Sequence, residues 1–449
     1  MERYGEGFHG RRPLWCFIQV DNAGSVGILS TILLFITLVL EINHPGTMPD
    51  PFVLARLPKI IFGAGMHRSL PGIAAEYGSE VVVITGARSF ISSPFGGILF
   101  EQLRDRGLTI HHLIVAGEPS PVLVDDAVSR LKGAGISIIA AIGGGSVMDA
   151  GKAISAMLTT DGSVTDYLEV VGSREHPGTK VPFIAVPTTS GTGSEATKNA
   201  VISQVGKEGF KRSLRHDNFV PDLVIIDTEL TLECTPDITA AAGMDCFTQL
   251  TEAYLSDKGS PMTDALAIEG LKAVSRSLLR SFTNGDDIEA RSDMSYAALM
   301  SGVCLANAGL GAVHGLAGTI GAFFDIPHGV VCGTLMAAAN DMNVSELLKI
   351  VRHGSSTGDI AVTNANTALG KYSTLGRIFA DATGKSDSYY IGFFIDYLHA
   401  ITYRFNLPRL GSYGLVYSDL EAISSQSDVK NNPVRLSSAR LLEILGQRL

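Results

Sequence analysis

The residue types best suited to chemistry in this chain are two histidines, His314 and His328, fourteen residues apart in the string AVHGLAGTIGAFFDIPHGV. About seventy residues upstream, Asp245 and Gln249 stand four apart in AAGMDCFTQLTEAY. An i, i+4 pair shares one helical face, so these two side chains can address the same point. A carboxylate and two imidazoles with open positions suit Fe(II), and zinc can also occupy such a set. The amide oxygen of Gln249 is a poorer donor than an imidazole: it binds weakly, binds through water, or does not bind. The bland alternative for a lone histidine is a hydrogen-bonded core residue. Cys246 and Cys332 flank these positions and read as small packing residues.

A second chemical feature is the apolar run SIIAAI (137–142), which leads directly into GGGSVMDAGKA (143–153). Three glycines let the backbone turn sharply and bring amides close to a pyrophosphate, and a helix starting near Ser146 adds its N-terminal dipole. The competing reading is a glycine-rich turn with no ligand. Gly151 and Lys152 look like part of a P-loop, but the glycine spacing is off and Ala153 replaces the hydroxyl that would hold magnesium. There is no GxGxxG either, so the usual dinucleotide fingerprint is missing.

The elements that must position these residues follow from the apolar pattern. VVVIT (81–85), SIIAAI, FIAVPTT (183–189) and LVIID (223–227) read as buried parallel strands, each followed by a helical stretch. Alternation of that kind predicts a doubly wound parallel sheet. After Pro236 the pattern is helical, and the Gly-, Asn- and Ser-rich stretch at 353–370 reads as a surface loop. The expected division is an extension over 1–47, an α/β domain over 48–235 and an all-α domain over 236–449.

With 449 residues, 45% hydrophobic and 18% charged, the chain has a globular composition. A net charge of −10 argues against nucleic acid, which needs a basic footprint. Five scattered cysteines without a CxxC read as free thiols in a reducing compartment, so the expected location is cytoplasmic. Residues 23–40 are uncharged and just long enough to span a bilayer, with Arg3, Arg11 and Arg12 before them. Two readings stand: a membrane anchor, or a dispensable extension ahead of a fresh start at Met48. The second is preferred.

The pattern GGGSxxDxxK resembles the pyrophosphate loop of the iron-containing (group III) alcohol dehydrogenases and of their relatives glycerol dehydrogenase and dehydroquinate synthase. The likeness continues through PFIAVPTTSGTGSEATKNAVI (182–202), GMD at 243–245 and NNPVR (431–435), and spans Leu54 to Leu449. It implies a dehydroquinate synthase-like architecture: an α/β, Rossmann-like dinucleotide-binding domain followed by an all-α domain. It also implies hydride transfer between NAD(P)H and a small aldehyde, ketone or alcohol, and a homo-oligomer.

By that resemblance, Gly144, Gly145, Ser146 and Asp149 surround the pyrophosphate, Thr188, Thr189 and Thr192 lie along the cofactor, and Lys211 reaches the nicotinamide ribose. The family holds its metal with one aspartate and three histidines. Asp245, His314 and His328 match three of them, and Gln249 stands at the fourth. Relatives often carry another histidine where this chain has Gly318. NAD-preferring relatives usually have an aspartate where Gly86 stands. Its loss, with Arg88 two residues on, favours NADP over NAD, because a guanidinium is a good phosphate partner. Fe(II) is the expected metal, with zinc as the alternative. Two rival readings keep the fold: a metal-independent reductase of maleylacetate-reductase type, and a non-catalytic nucleotide-binding protein.

Overall fold

The computed structural model describes residues 51–354 and 359–449; the apolar run at 23–40 lies outside the described residues. The first half alternates strands β1 (Lys59–Phe62), β2 (Glu80–Gly86), β3 (Thr109–Val115), β4 (Ile138–Gly143), β5 (Phe183–Pro187) and β8 (Leu223–Ile226) with helices α1 (Leu70–Ala75), α2 (Ser89–Ser92), α3 (Pro94–Asp105), α4 (Pro121–Leu131) and α5 (Gly145–Met157). The six strands form one parallel sheet of order β1-β8-β5-β4-β2-β3.

Both faces of this sheet are covered. Val82 and Ile84 of β2 pack with α4 and α5, while Val81 and Val83 pack with α1 and α3. A strand buried on both faces has no polar alternation, which is why β2, β4, β5 and β8 stand out as continuous apolar runs. β3 is an edge strand paired only with β2, and its sequence TIHHLIV carries two histidines, so it lacks that signature. A separate antiparallel hairpin, β6 (Asn199–Gln204) with β7 (Phe210–Arg215), places Lys211 opposite Ser203.

The second half is helical: α6 (Pro236–Leu255), α7 (Pro261–Thr283), α8 (Ile288–Ala308), α9 (Ala312–Phe323), α10 (His328–His353), α11 (Ile360–Phe379), α12 (Asp387–Arg404), α13 (Tyr417–Gln426) and α14 (Ser438–Gln447). Its apolar core draws only on residues from Ala240 to Leu445. Among the described residues, no single helix is long and apolar enough to cross a membrane.

The expected loop at 353–370 is corrected by the structure. α10 runs to His353 and α11 begins at Ile360. Asp359 caps α11 by accepting from the Ala361 amide, and Ala365, Ala368, Leu369 and Tyr372 bury one face at helical spacing. The Asn residues of that stretch, Asn364 and Asn366, occupy the outer face.

Candidate active site

Two regions meet the requirements for chemistry. The first lies at the carboxyl ends of β2 and β4. From β2 the chain steps outward to β3, and from β4 it steps the other way to β5, so the crevice between β2 and β4 is a topological switch point. Ligands of open α/β sheets bind at such points. Gly86 ends β2 and Gly143 ends β4. Gly144 is the N-cap of α5, whose first amides, those of Gly145 and Ser146 among them, have no partner within the helix.

The threonine segment packs on this turn. The Thr188 amide donates to the Gly143 carbonyl at 2.9 Å. A Cβ at Gly145 would lie 2.7 Å from the Thr192 side chain, and one at Gly144 would lie 3.3 Å from Thr189 Oγ1. Gly145 therefore has no room for any other residue. Thr188, Thr189, Ser89, Leu230, Cys234 and Ile238 line a small cleft beside the turn. Arg88 is exposed just after β2.

Asp149 and Lys152 face inward. Asp149 Oδ1 accepts from Ser194 Oγ at 2.6 Å and lies 3.3 Å from Lys152 Nζ. Lys152 also donates to the Ser194 carbonyl, Ser194 Oγ, Thr197 Oγ1 and the Asn199 carbonyl. The lysine that gives the loop its P-loop look is thus committed to bracing the 194–199 segment. Burial pushes the neighbouring Glu195 carboxyl up to about 7, against the pull of its own amide and of Lys152. The folded state then keeps a proton that the unfolded chain releases above its ordinary 4.5, so stability falls as pH rises through that window. Glu195→Gln should be nearly neutral at pH 5 and stabilising by about 1–3 kcal/mol at pH 8, read from denaturant midpoints at the two pH values. Equal effects at both would sink this reading.

The second region is in the helical half. Asp245 is 1% exposed in the middle of α6, His314 lies in the first turn of α9, and His328 opens α10. Asp245 Oδ1 lies 3.3 Å from His314 Nε2 and 3.8 Å from His328 Nε2. The other nitrogen of His314, Nδ1, is 2.6 Å from Glu252 Oε2, and Glu252 Oε1 accepts the Val313 amide at 2.7 Å. That carboxylate fixes the ring so that Nε2 faces Asp245. Cys332 Sγ lies 3.6 Å from His314 Nε2 and 3.7 Å from His328 Nε2.

Burial works to raise Asp245, but His328 and His314 outweigh it and hold its carboxyl at about 2. Burial pushes His328 down to about 3, with Asp245 opposing and Lys211 adding to the fall. For His314, burial is outweighed by Cys332, Glu252 and Asp245, which raise it well above its ordinary value. Gln249, one turn after Asp245, is 3% exposed, and its Oε1 has no hydrogen-bond partner. A buried, unpaired acceptor beside this donor set fits a divalent metal.

The C-terminal motif NNPVR seats the helix that bears His314. The Asn431 amide donates to the Leu310 carbonyl, and Asn432 Oδ1 accepts the Ala312 amide. The Asp428 carbonyl presses so close that a Cβ at Gly315 would sit 1.7 Å from it, so only glycine fits after His314. At Gly318 a Cβ would meet nothing within 4 Å, which leaves open space one turn along from His314. Lys211 reaches across from β7: its Cδ is 3.2 Å from where a Cβ of Gly321 would be, and its Nζ pairs with Glu118 Oε2 at 3.1 Å.

The sequence reading omits one residue of the second region, Glu252, and assigns another, Cys332, to packing. Glu252 could have been found: Asp245, Gln249 and Glu252 are polar at i, i+4 and i+7 in an otherwise apolar helix. Cys332 could not, since one cysteine a turn after a histidine is ordinary core composition.

A parallel sheet of this order, followed by a helical layer that carries the buried donors, is the dehydroquinate synthase-like class. The sequence model of the iron-containing alcohol dehydrogenases matches residues 58–228, and that of their C-terminal region matches 239–449. This chain belongs to the iron-containing alcohol dehydrogenase family. The NAD-dependent methanol dehydrogenase of Bacillus methanolicus is 31% identical over 326 residues, covering 70% of this chain and 84% of that protein. Long-chain-alcohol dehydrogenase 1 of Geobacillus thermodenitrificans is 38% identical over 228 residues, but there the match spans only 51% of this chain and 57% of the relative. An archaeal alcohol dehydrogenase from a Red Sea brine pool has the same fold, with a TM-score of 0.77 at 24% identity over 89% of this chain and 98% of that one.

Proposed function

We propose that this protein transfers a hydride reversibly between a nicotinamide cofactor and a small aldehyde or ketone, giving an alcohol. The observation that carries the reading is Lys211. It stands on the hairpin of the sheet half, packs on Gly321 of the helix bearing His314, and so ties the nucleotide side to the Asp245 cluster. The similarity to alcohol dehydrogenases and to the methanol dehydrogenase agrees with it.

In this reading the amides of Gly144, Gly145 and Ser146 bind the pyrophosphate, and Thr188, Thr189 and Thr192 line the cofactor's path. Asp149 acts through Lys152 and Ser194 to hold that loop in place. Asp245, His314 and His328, with Gln249 beside them, hold a divalent metal, iron(II) or zinc. When bound, the nicotinamide supplies the hydride and the metal polarises a carbonyl oxygen. Lys211 orients the nicotinamide side, and the gap at Gly318 admits a short substrate. With no histidine at that position, water carries the proton. The protein is proposed to act as a homo-oligomer in the cytoplasm.

Anaerobic NADPH oxidation with a panel of short aldehydes, with Fe(II) or with chelator, tests this. Activity that needs the metal supports it. Activity indifferent to chelator would favour the metal-independent reductase, and cofactor binding without turnover would favour the non-catalytic reading.

NADP is the proposed cofactor form. A Cβ at Gly86 would meet only Val147, at 3.9 Å, so an aspartate fits there. Gly86→Asp should cut the NADPH-to-NADH ratio of kcat/KM at least tenfold, about 1.4 kcal/mol of differential binding. An unchanged ratio would mean that this position does not read the 2′-phosphate.

A further inference from the structure

We propose that Cys332 is a metal ligand, its thiolate completing a four-donor site with Asp245, His314 and His328 that suits zinc better than iron(II). The proposal rests on reading the cluster as a metal site and goes further, to which atoms hold the ion. All four donor atoms lie within 4.8 Å of one another. Cys332 is fully buried and stands one helical turn after His328, so both project from the same face of α10.

The separations fit one tetrahedron. Zinc bonds of about 2.05 Å to nitrogen and 2.3 Å to sulfur, at the tetrahedral angle, put nitrogen and sulfur about 3.6 Å apart; nitrogen and a carboxylate oxygen come out about 3.4 Å apart. The thiol is 3.6 and 3.7 Å from the two imidazole nitrogens, and the carboxylate oxygen is 3.3 and 3.8 Å from them. An octahedral arrangement with the same bonds would bring neighbouring donors to about 3 Å, shorter than any of these four distances.

The chemistry of the donors agrees. Gln249 offers a neutral amide, the weakest donor near the cluster. A thiolate one turn from His328 supplies the charge and softness that position 249 lacks. Thiolate ligands favour zinc, whereas all nitrogen and oxygen sets leave room for iron(II). On binding, the Cys332 thiol gives its proton to solvent and its sulfur lone pair to the metal, with no change of oxidation state. Catalytic zinc sites can become five-coordinate in the transition state, and the substrate oxygen would have to enter this site as a fifth donor.

The test uses full-length protein, stripped of metal and reloaded with Co(II) or with Zn(II). X-ray absorption of the zinc form should show one sulfur neighbour at about 2.3 Å. The cobalt form should show a thiolate-to-metal charge-transfer band in the near ultraviolet. Cys332→Ser should remove the band and weaken zinc by more than the roughly 10–100-fold that loss of an outer-shell partner costs. It should also narrow the preference for zinc over iron(II). Metal bound with no sulfur neighbour would overturn the proposal and leave the metal reading standing. No metal bound by the wild-type chain would overturn both. The absorption measurement on unaltered protein settles the question even if the serine variant folds poorly.

Discussion

Asp245→Ala should leave a folded protein that still binds its nicotinamide cofactor but, under the proposed mechanism, reduces carbonyls at least about a thousandfold more slowly, since metal polarisation contributes several kcal/mol of transition-state stabilisation. Among the described residues Asp245 is the one carboxylate within 4 Å of both imidazoles, and their influence keeps it ionised. Removing it deletes the anionic donor and leaves two imidazoles facing each other around a small void. The nucleotide loop is built from β4, α5 and the 188–194 segment, none of which touches this carboxylate, so cofactor titration should be nearly unchanged. Asp245→Asn keeps the shape and removes the charge, which separates packing from electrostatics. The readouts are bound metal per chain and kcat/KM. Undiminished carbonyl reduction by the alanine variant would rule out a metal-assisted mechanism at this site.

Lys152→Met is expected to be the most damaging single change to the fold itself. The Lys152 side chain is completely buried, and its Nζ meets four oxygens of the 194–199 segment besides Asp149. Breaking a buried ion pair by removing one partner costs about 3–5 kcal/mol, because the other charge stays behind without compensation. Here that charge is Asp149, with 14% of its side chain exposed. For the compact unit Pro51–Leu449 a fall in melting temperature of roughly 4–6 °C follows. The double variant Asp149→Asn with Lys152→Met should recover part of the loss, since it removes the stranded charge. NADPH affinity should drop in the single variant as well, because Ser194 and Thr192 lose their brace against the glycine turn. A loss under about 1 kcal/mol would show that the pair is dispensable.

How much of this was legible beforehand depended on burial. The four strands buried on both faces were visible as apolar runs within two residues of their bounds. β1 has only one partner, β8, and is largely exposed, so its four residues gave no comparable run. β7 reads FKRSLR, whose polar residues hide a strand in a two-stranded hairpin. The start of α11 reads as a loop in one dimension because Asn364, Asn366 and Gly370 lie on its solvent face. The metal-type donors on α6, α9 and α10 were legible because types and spacing survive in one dimension. Glu252 and Cys332, eighty residues apart, belong to the same cluster through helix packing, each meeting His314. The contacts of Asp149 with Ser194 and Lys152 depend on the 194–199 loop, which no local pattern announces.

The seating of α9 by Asp428, Asn431 and Asn432 has a consequence for the order in which the molecule matures. By the time residue 332 has been synthesised, all four donors exist, but the segment that locks the His314 helix in position does not. A nascent chain at that stage has its thiol and imidazoles without the wall that closes over them. Capture of an ion in the final geometry would therefore await residues 428–432. A stop codon shortly before residue 428 would yield a product with every donor atom and no finished site.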